Sequence, residues 1–136
     1  MSKFAHKTSC PLPTSFRSLG PPTLTLQELN ELFAYSLTAP MIADLSAVYD
    51  PVVANGTLVK FSREMVGDST LVSYRFFTTI EAAEAFQTAF TTANQLYFTT
   101  YPDIIPGFTE SIDTFTEEDY GLIVGNVDLV TRMLIV

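Results

Sequence analysis

The spacing of apolar positions divides this chain into stretches of different period. In TLTLQELNELFAYSLTAP, Leu29, Leu32, Phe33 and Leu37 recur at three- and four-residue steps, which places them on one stripe of a helix. Thr25 and Glu28 stand in capping-box relation at its start, and Pro40 ends it. A second, shorter helix is predicted over Met41 to Tyr49, closed by Asp50-Pro51.

From Val52 the period falls to two. Asn55-Gly56 is the strongest hairpin signal, because both residues tolerate the positive φ of a tight primed turn. Thr57 to Met65 follows as a strand, with Val59, Phe61 and Met65 on one side. Gly67-Asp68 then turns the chain into Ser69 to Phe77, where Val72, Tyr74 and Phe76 alternate with Leu71, Ser73, Arg75 and Phe77. The pattern predicts an antiparallel meander with at least one apolar face.

The longest helix is predicted next. Thr78 and Glu81 form a capping-box pair, and Ile80, Ala83, Phe86, Phe90, Ala93 and Tyr97 make a stripe able to lie across the meander. TTYPDIIPGFTES, with its prolines and glycine, reads as a loop. The tail DYGLIVGNVDLVTRMLIV reads as two strands joined at Gly125-Asn126, the last apolar on both faces and so suited to the middle of a sheet or to a partner's cover. The fold class expected is α+β: an antiparallel sheet, meander plus C-terminal hairpin, packed by one long and one or two shorter helices.

Residues 1–22 do not fit either period. They carry Lys3, Lys7 and Arg17, no acid and several prolines, and read as an extended basic arm ahead of a single domain over residues 23–136. Charge sharpens that reading. The net charge is −8, yet residues 101–136 hold Asp103, Glu110, Asp113, Glu117, Glu118, Asp119 and Asp128 against Arg132 alone. Charged residues make up 16% of a chain that is 47% hydrophobic, so part of the apolar surface is expected to face another subunit.

Composition also excludes classes of function. An acidic chain is poorly suited to nucleic acid as its main partner, since phosphate affinity comes from Lys and Arg. No apolar run is long enough to span a bilayer, and the start lacks the apolar centre of a signal peptide, which predicts an intracellular protein, or one packaged into a particle after cytoplasmic synthesis. The single cysteine, Cys10, rules out an internal disulfide. Without a secretion signal, Asn55-Gly56-Thr57 reads as a turn and not as a glycosylation site.

Candidate chemistry is sparse. His6 and Cys10, four apart, supply half a tetrahedral metal site at best and read as unrelated residues of the arm. Glu110, Asp113, Glu117, Glu118 and Asp119 lack the alternating acids and central glycine of a calcium loop and read as solvated loop acids. Arg63 and Arg75 fall on neighbouring predicted strands and can form a small anion site, although pairing with an acid such as Glu64, or exposure, is the commoner outcome. No catalytic residue, cofactor or metal is predicted.

The stretch Thr79-Ile-Glu-Ala-Ala-Glu-Ala-Phe86, entered from a strand, is similar to the first helix of small ferredoxin-like domains, among them dimeric ones that enclose a ligand between sheet and helices. The hairpin read before it departs from the β-α-β order of that fold.

Two functions remain open on these residues. The first is a non-enzymatic structural or interaction subunit of a larger assembly, such as a virion. Its arm residues Lys3, Lys7 and Arg17 would dock on a neighbour's acidic face of Glu110, Asp113, Glu117, Glu118 and Asp119, the partner being protein, with no membrane. The second is a small, dimeric, ferredoxin-like ligand-binding or enzymatic domain. A pocket of a few hundred cubic ångströms beside helix 80–97, with convergent Arg63, Arg75 or Tyr74, favours the second; a filled core favours the first.

Overall fold

The structure is a computed structural model of the chain and describes residues 3–14, 26–67 and 69–123. The chain runs β1 (Lys3–Pro11), α1 (Leu26–Ala34), α2 (Ala39–Ala54), β2 (Leu58–Val66), β3 (Thr70–Phe77), α3 (Ile80–Ala93), α4 (Gln95–Thr100), a 3₁₀ turn (Pro102–Gly107), β4 (Thr109–Phe115) and α5 (Glu117–Ile123). It is an α+β fold, in which a four-stranded antiparallel sheet, ordered β2-β3-β1-β4, is packed with helices.

Every neighbouring pair is antiparallel, so β1 and β2 run parallel with β3 between them, and β3 and β4 run parallel with β1 between them. Two β-α-β units are therefore interleaved, each split by a strand of the other, which is the ferredoxin-like arrangement. The departure from β-α-β order expected from the sequence is thus reversed. The missing strand was the segment read as an arm.

Residues 3–11 are an inner strand of the sheet. Lys3 to Ser9 pair with Thr109 to Phe115 on one side, and Phe4 to Pro11 with Thr70 to Phe77 on the other. Alternation sends His6 and Thr8 toward the helices and Ala5 to the opposite face, and all three are buried. Residues 3–11 of the segment read as an arm thus belong to the sheet, and the boundary drawn at residue 22 lies outside the described residues. Beyond the strand, the Thr14 amide and hydroxyl donate to Asp103 at 2.8 and 2.6 Å, tying the chain to the 3₁₀ turn.

Inner strand β3 is buried on both faces, as its doubly apolar sequence TLVSYRFF demands. The β2–β3 hairpin turns at Gly67, whose φ of +68° suits glycine. Asn55-Gly56 is not a hairpin: Asn55 caps α2, and Gly56, at φ +75°, supplies the left-handed step after the helix.

Helix α2 continues through Pro51 instead of stopping before it. Pro51 has no amide to donate, but Val48, Val52 and Val53 around it pack on the cluster of Tyr49, Phe61 and Phe77, and that burial outweighs one lost bond. The predicted helix 80–97 is two helices meeting at Asn94, whose side-chain amide donates to the Phe90 carbonyl at 2.7 Å. Its cap is Thr79, one residue later than the spacing suggested, because the Thr78 amide is bound to the Thr57 carbonyl. Ala83, Phe86, Phe90 and Tyr97 of the expected stripe are buried, while Ile80 is exposed.

The acidic run read as loop is strand β4 followed by α5, with Glu117, Glu118 and Asp119 in the helix's first turn, where carboxylates suit free amides. The first strand expected of the C-terminal hairpin is instead the end of α5, because its residues continue the turn that Glu117 begins; the turn at Gly125-Asn126 and the Thr25 cap lie outside the described residues. No described helix is long and apolar enough to cross a membrane.

Candidate functional site

The helix-facing side of β2 and β3 carries Phe61, Arg63, Ser73, Arg75 and Phe77. Arg75 lies opposite Phe61 in the ladder, and Arg63 opposite Ser73, so the two arginines are diagonal neighbours on one face. Both are buried, at 6% and 3% exposure for Arg63 and Arg75 respectively. Glu64, the acid beside Arg63 in sequence, points to the opposite side of the sheet, as alternation requires.

Each guanidinium lies against aromatic rings. Arg63 stands 4.4 Å from the centre of the Phe33 ring and 5.0 Å from that of Phe61, and its Nε donates to Ser73 Oγ at 2.9 Å. Arg75 stands 4.5 Å from the Phe90 ring and 5.7 Å from Phe61; its Nε donates to the Tyr49 hydroxyl and its Nη1 to Thr8 Oγ1 at 3.0 Å. These partners are neutral. Among the described residues no carboxylate lies within ion-pair distance of Arg75.

Burial, and then the positive charge of Arg75, push the Arg63 pKa down to about 10. A guanidinium carries five donors, and burying that of Arg75 without a counter-charge among the described residues costs several kcal/mol even after relaxation. Stacking on aromatic faces returns only part of that, about 2 kcal/mol for a desolvated pair. The site around Arg75 therefore holds a surplus of positive charge.

Two adjoining cavities meet at this pair. One, partly open to solvent, is bounded by Leu37, Ile42, Leu45, Ser46 and Tyr49 of the α1–α2 segment. The other reaches toward Thr8, Cys10, Tyr97 and Phe108. Phe33, Arg63, Arg75, Phe90 and Asn94 line both, so the arginines sit where the two lobes join. Helix α1 packs over β2, and α3 packs over β1 and β3.

The other titratable groups nearby are held in neutral forms. His6, opposite Arg75 across β1–β3 and fully buried, lies edge-on to Phe86 and Phe90. Its neutral Nε2–H donates to Glu110 Oε2 at 2.9 Å, and its Nδ1 has no partner. Burial and then Arg75 push its pKa down to about 2. Glu110 alone would favour a charged ring, but a protonated Nδ1–H would have no acceptor in a dry setting, so burial wins. Burial likewise pushes the Cys10 thiol up to about 11, and raises the Tyr97 hydroxyl still more.

The residues proposed for arm docking meet within one chain. Lys3 Nζ is 3.6 Å from Glu117 Oε1 and 5.0 Å from the Tyr120 ring; Lys7 lies 5.6 Å from the Tyr74 ring. Glu110 and Asp113 are on β4 beside β1, where Glu110 also accepts from Thr91 Oγ1 at 3.1 Å. Arg17 lies outside the described residues, and Glu118 and Asp119 are exposed. Tyr74 is on the far face of the sheet from the cavities. Sequence reading found the two arginines but missed Tyr49, Asn94 and Phe33 beside them; the only signal was their position on helix faces turned toward β2 and β3.

Comparison with protein-family models, curated proteins and solved structures finds no match to this chain.

Proposed function

We propose that this domain binds a small organic molecule in the cleft between the α1–α2 segment, α3 and the sheet. The observation that carries the reading is a partly open, mainly apolar cleft lined by two buried guanidinium groups. Its walls are mostly apolar, with a few polar groups converging at one place, which is the usual build of a small-ligand site.

Binding fits these groups better than catalysis. A histidine held near pKa 2 is a poor base at neutral pH, and a thiol pushed to about 11 is a poor nucleophile. The arginines suit orienting and neutralising an anion.

The test is fluorescence of 1-aminoanthracene, a neutral dye that brightens in apolar surroundings, added to the native protein and to Leu45→Trp, which fills the cleft's outer wall. Saturable brightening in the native protein, weakened at least tenfold in Leu45→Trp, supports the reading. Absence of binding, or equal binding by both proteins, rejects it.

A further inference from the structure

Resting on that cleft, we infer that its ligand is a monocarboxylate with an apolar body, seated with its carboxylate against Arg75. Three observations converge on that chemistry. First, Arg75 is 3% exposed, and the groups it donates to, Tyr49 and Thr8, are hydroxyls without charge. Those bonds occupy Nε and one hydrogen of Nη1, leaving Nη2 for a ligand. Nη2 is not among the buried atoms without a partner, and Arg75 lines both cavities.

Second, the space suits one charged head on a modest tail. The enclosed space is of the order of a small head group, and the cleft is partly open to solvent beyond it. Phe33, Leu37, Ile42, Leu45 and Phe90 offer the tail apolar contacts. Third, the head is better matched by a carboxylate than by a phosphate. A singly charged carboxylate accepts a charge-assisted bond from Nη2, and the surrounding aromatic rings solvate a dianion poorly. Asn94 and Arg63 on the same wall leave the head in a field of donors and positive charge.

Calorimetric titration of the native protein with 3-phenylpropanoate and octanoate, each against its own amide, tests the inference. The amides keep the shape and tail but carry no charge. We expect each acid to bind about 10- to 100-fold tighter than its amide, the difference made by one charge-assisted pair. We expect Arg75→Gln to bring acid and amide within threefold of each other.

Equal binding of acid and amide by the native protein overturns the carboxylate assignment and leaves the cleft reading standing. So does a preference for the acid that survives in Arg75→Gln. If neither acid nor amide binds and 1-aminoanthracene also fails, the cleft reading falls with it. Since the acid-to-amide ratio is read on the native protein, a variant that does not fold cannot mask the result.

Discussion

His6 and Arg75 face one another across β1 and β3, one ring buried neutral beside one guanidinium buried charged. The pair explains each member's state. Two positive charges on adjoining positions of a dry face would repel, and the strand that carries His6 has no acceptor for a second ring proton.

A pH dependence follows from the ring. His6 has a folded pKa near 2 against 6.5 when unfolded, so the unfolded chain binds the extra proton throughout that window. Stability is therefore full above pH 6.5 and falls as the pH drops, by up to about 1.4 kcal/mol per pH unit. This is the chain's only histidine, so between pH 6.5 and 5 the loss is assigned to it, ahead of the carboxylates. Urea unfolding across that interval checks it: His6→Gln should be flatter than the native protein, and parallel curves would reject the assignment.

Arg75→Met should stabilise the unliganded protein. It removes a buried cation that lacks a counter-ion among the described residues, keeps an unbranched stem, and leaves the Tyr49 and Thr8 hydroxyls to find other partners. The net gain is about 1–2 kcal/mol, since replacing buried charge by apolar bulk is often stabilising. Chemical denaturation measures it; a loss above 1 kcal/mol would mean that the guanidinium is needed to hold the strands and helix together.

Gly107→Ala should destabilise through a close approach. A Cβ at Gly107 would lie 2.5 Å from Pro11 Cγ, and the proline ring cannot swing aside. Overpacking of this kind costs about 1–3 kcal/mol. Thermal unfolding reads it as a drop of several degrees, and an unchanged midpoint would show that the 3₁₀ turn can shift away from β1.

Thr79→Ala should remove the cap of α3, where the threonine hydroxyl accepts from the Ala82 amide at 3.1 Å. The loss is about 1 kcal/mol. Thr78→Ala, one residue earlier, should change stability by less than half of that, and equal losses would place the cap elsewhere.

The sequence showed the strand pair 58–77, its turn at Gly67, the amphipathic helix after it and the adjacency of Arg63 and Arg75, because each rests on spacing within a few residues. It hid β1. KFAHKTSCP has no long apolar run, and its burial depends on β4, roughly a hundred residues away. It hid β4 for the matching reason: TESIDTF looks like solvated acids until Glu110 is set beside His6 and Glu117 beside Lys3. Of the charge asymmetry between the two ends, the structure pairs Lys3 with Glu117 within one chain. The burial of the arginines was invisible as well, since alternation fixes their face but not what roofs it.

The guanidinium resonances of Arg75 report most directly on whether the cleft takes an anion at this residue. With nitrogen-15-labelled protein and saturating 3-phenylpropanoate, the Arg75 Nε and Nη signals should move well beyond those seen with 3-phenylpropanamide. Calorimetric binding of the acid with the Arg75 signals unmoved would contradict the account.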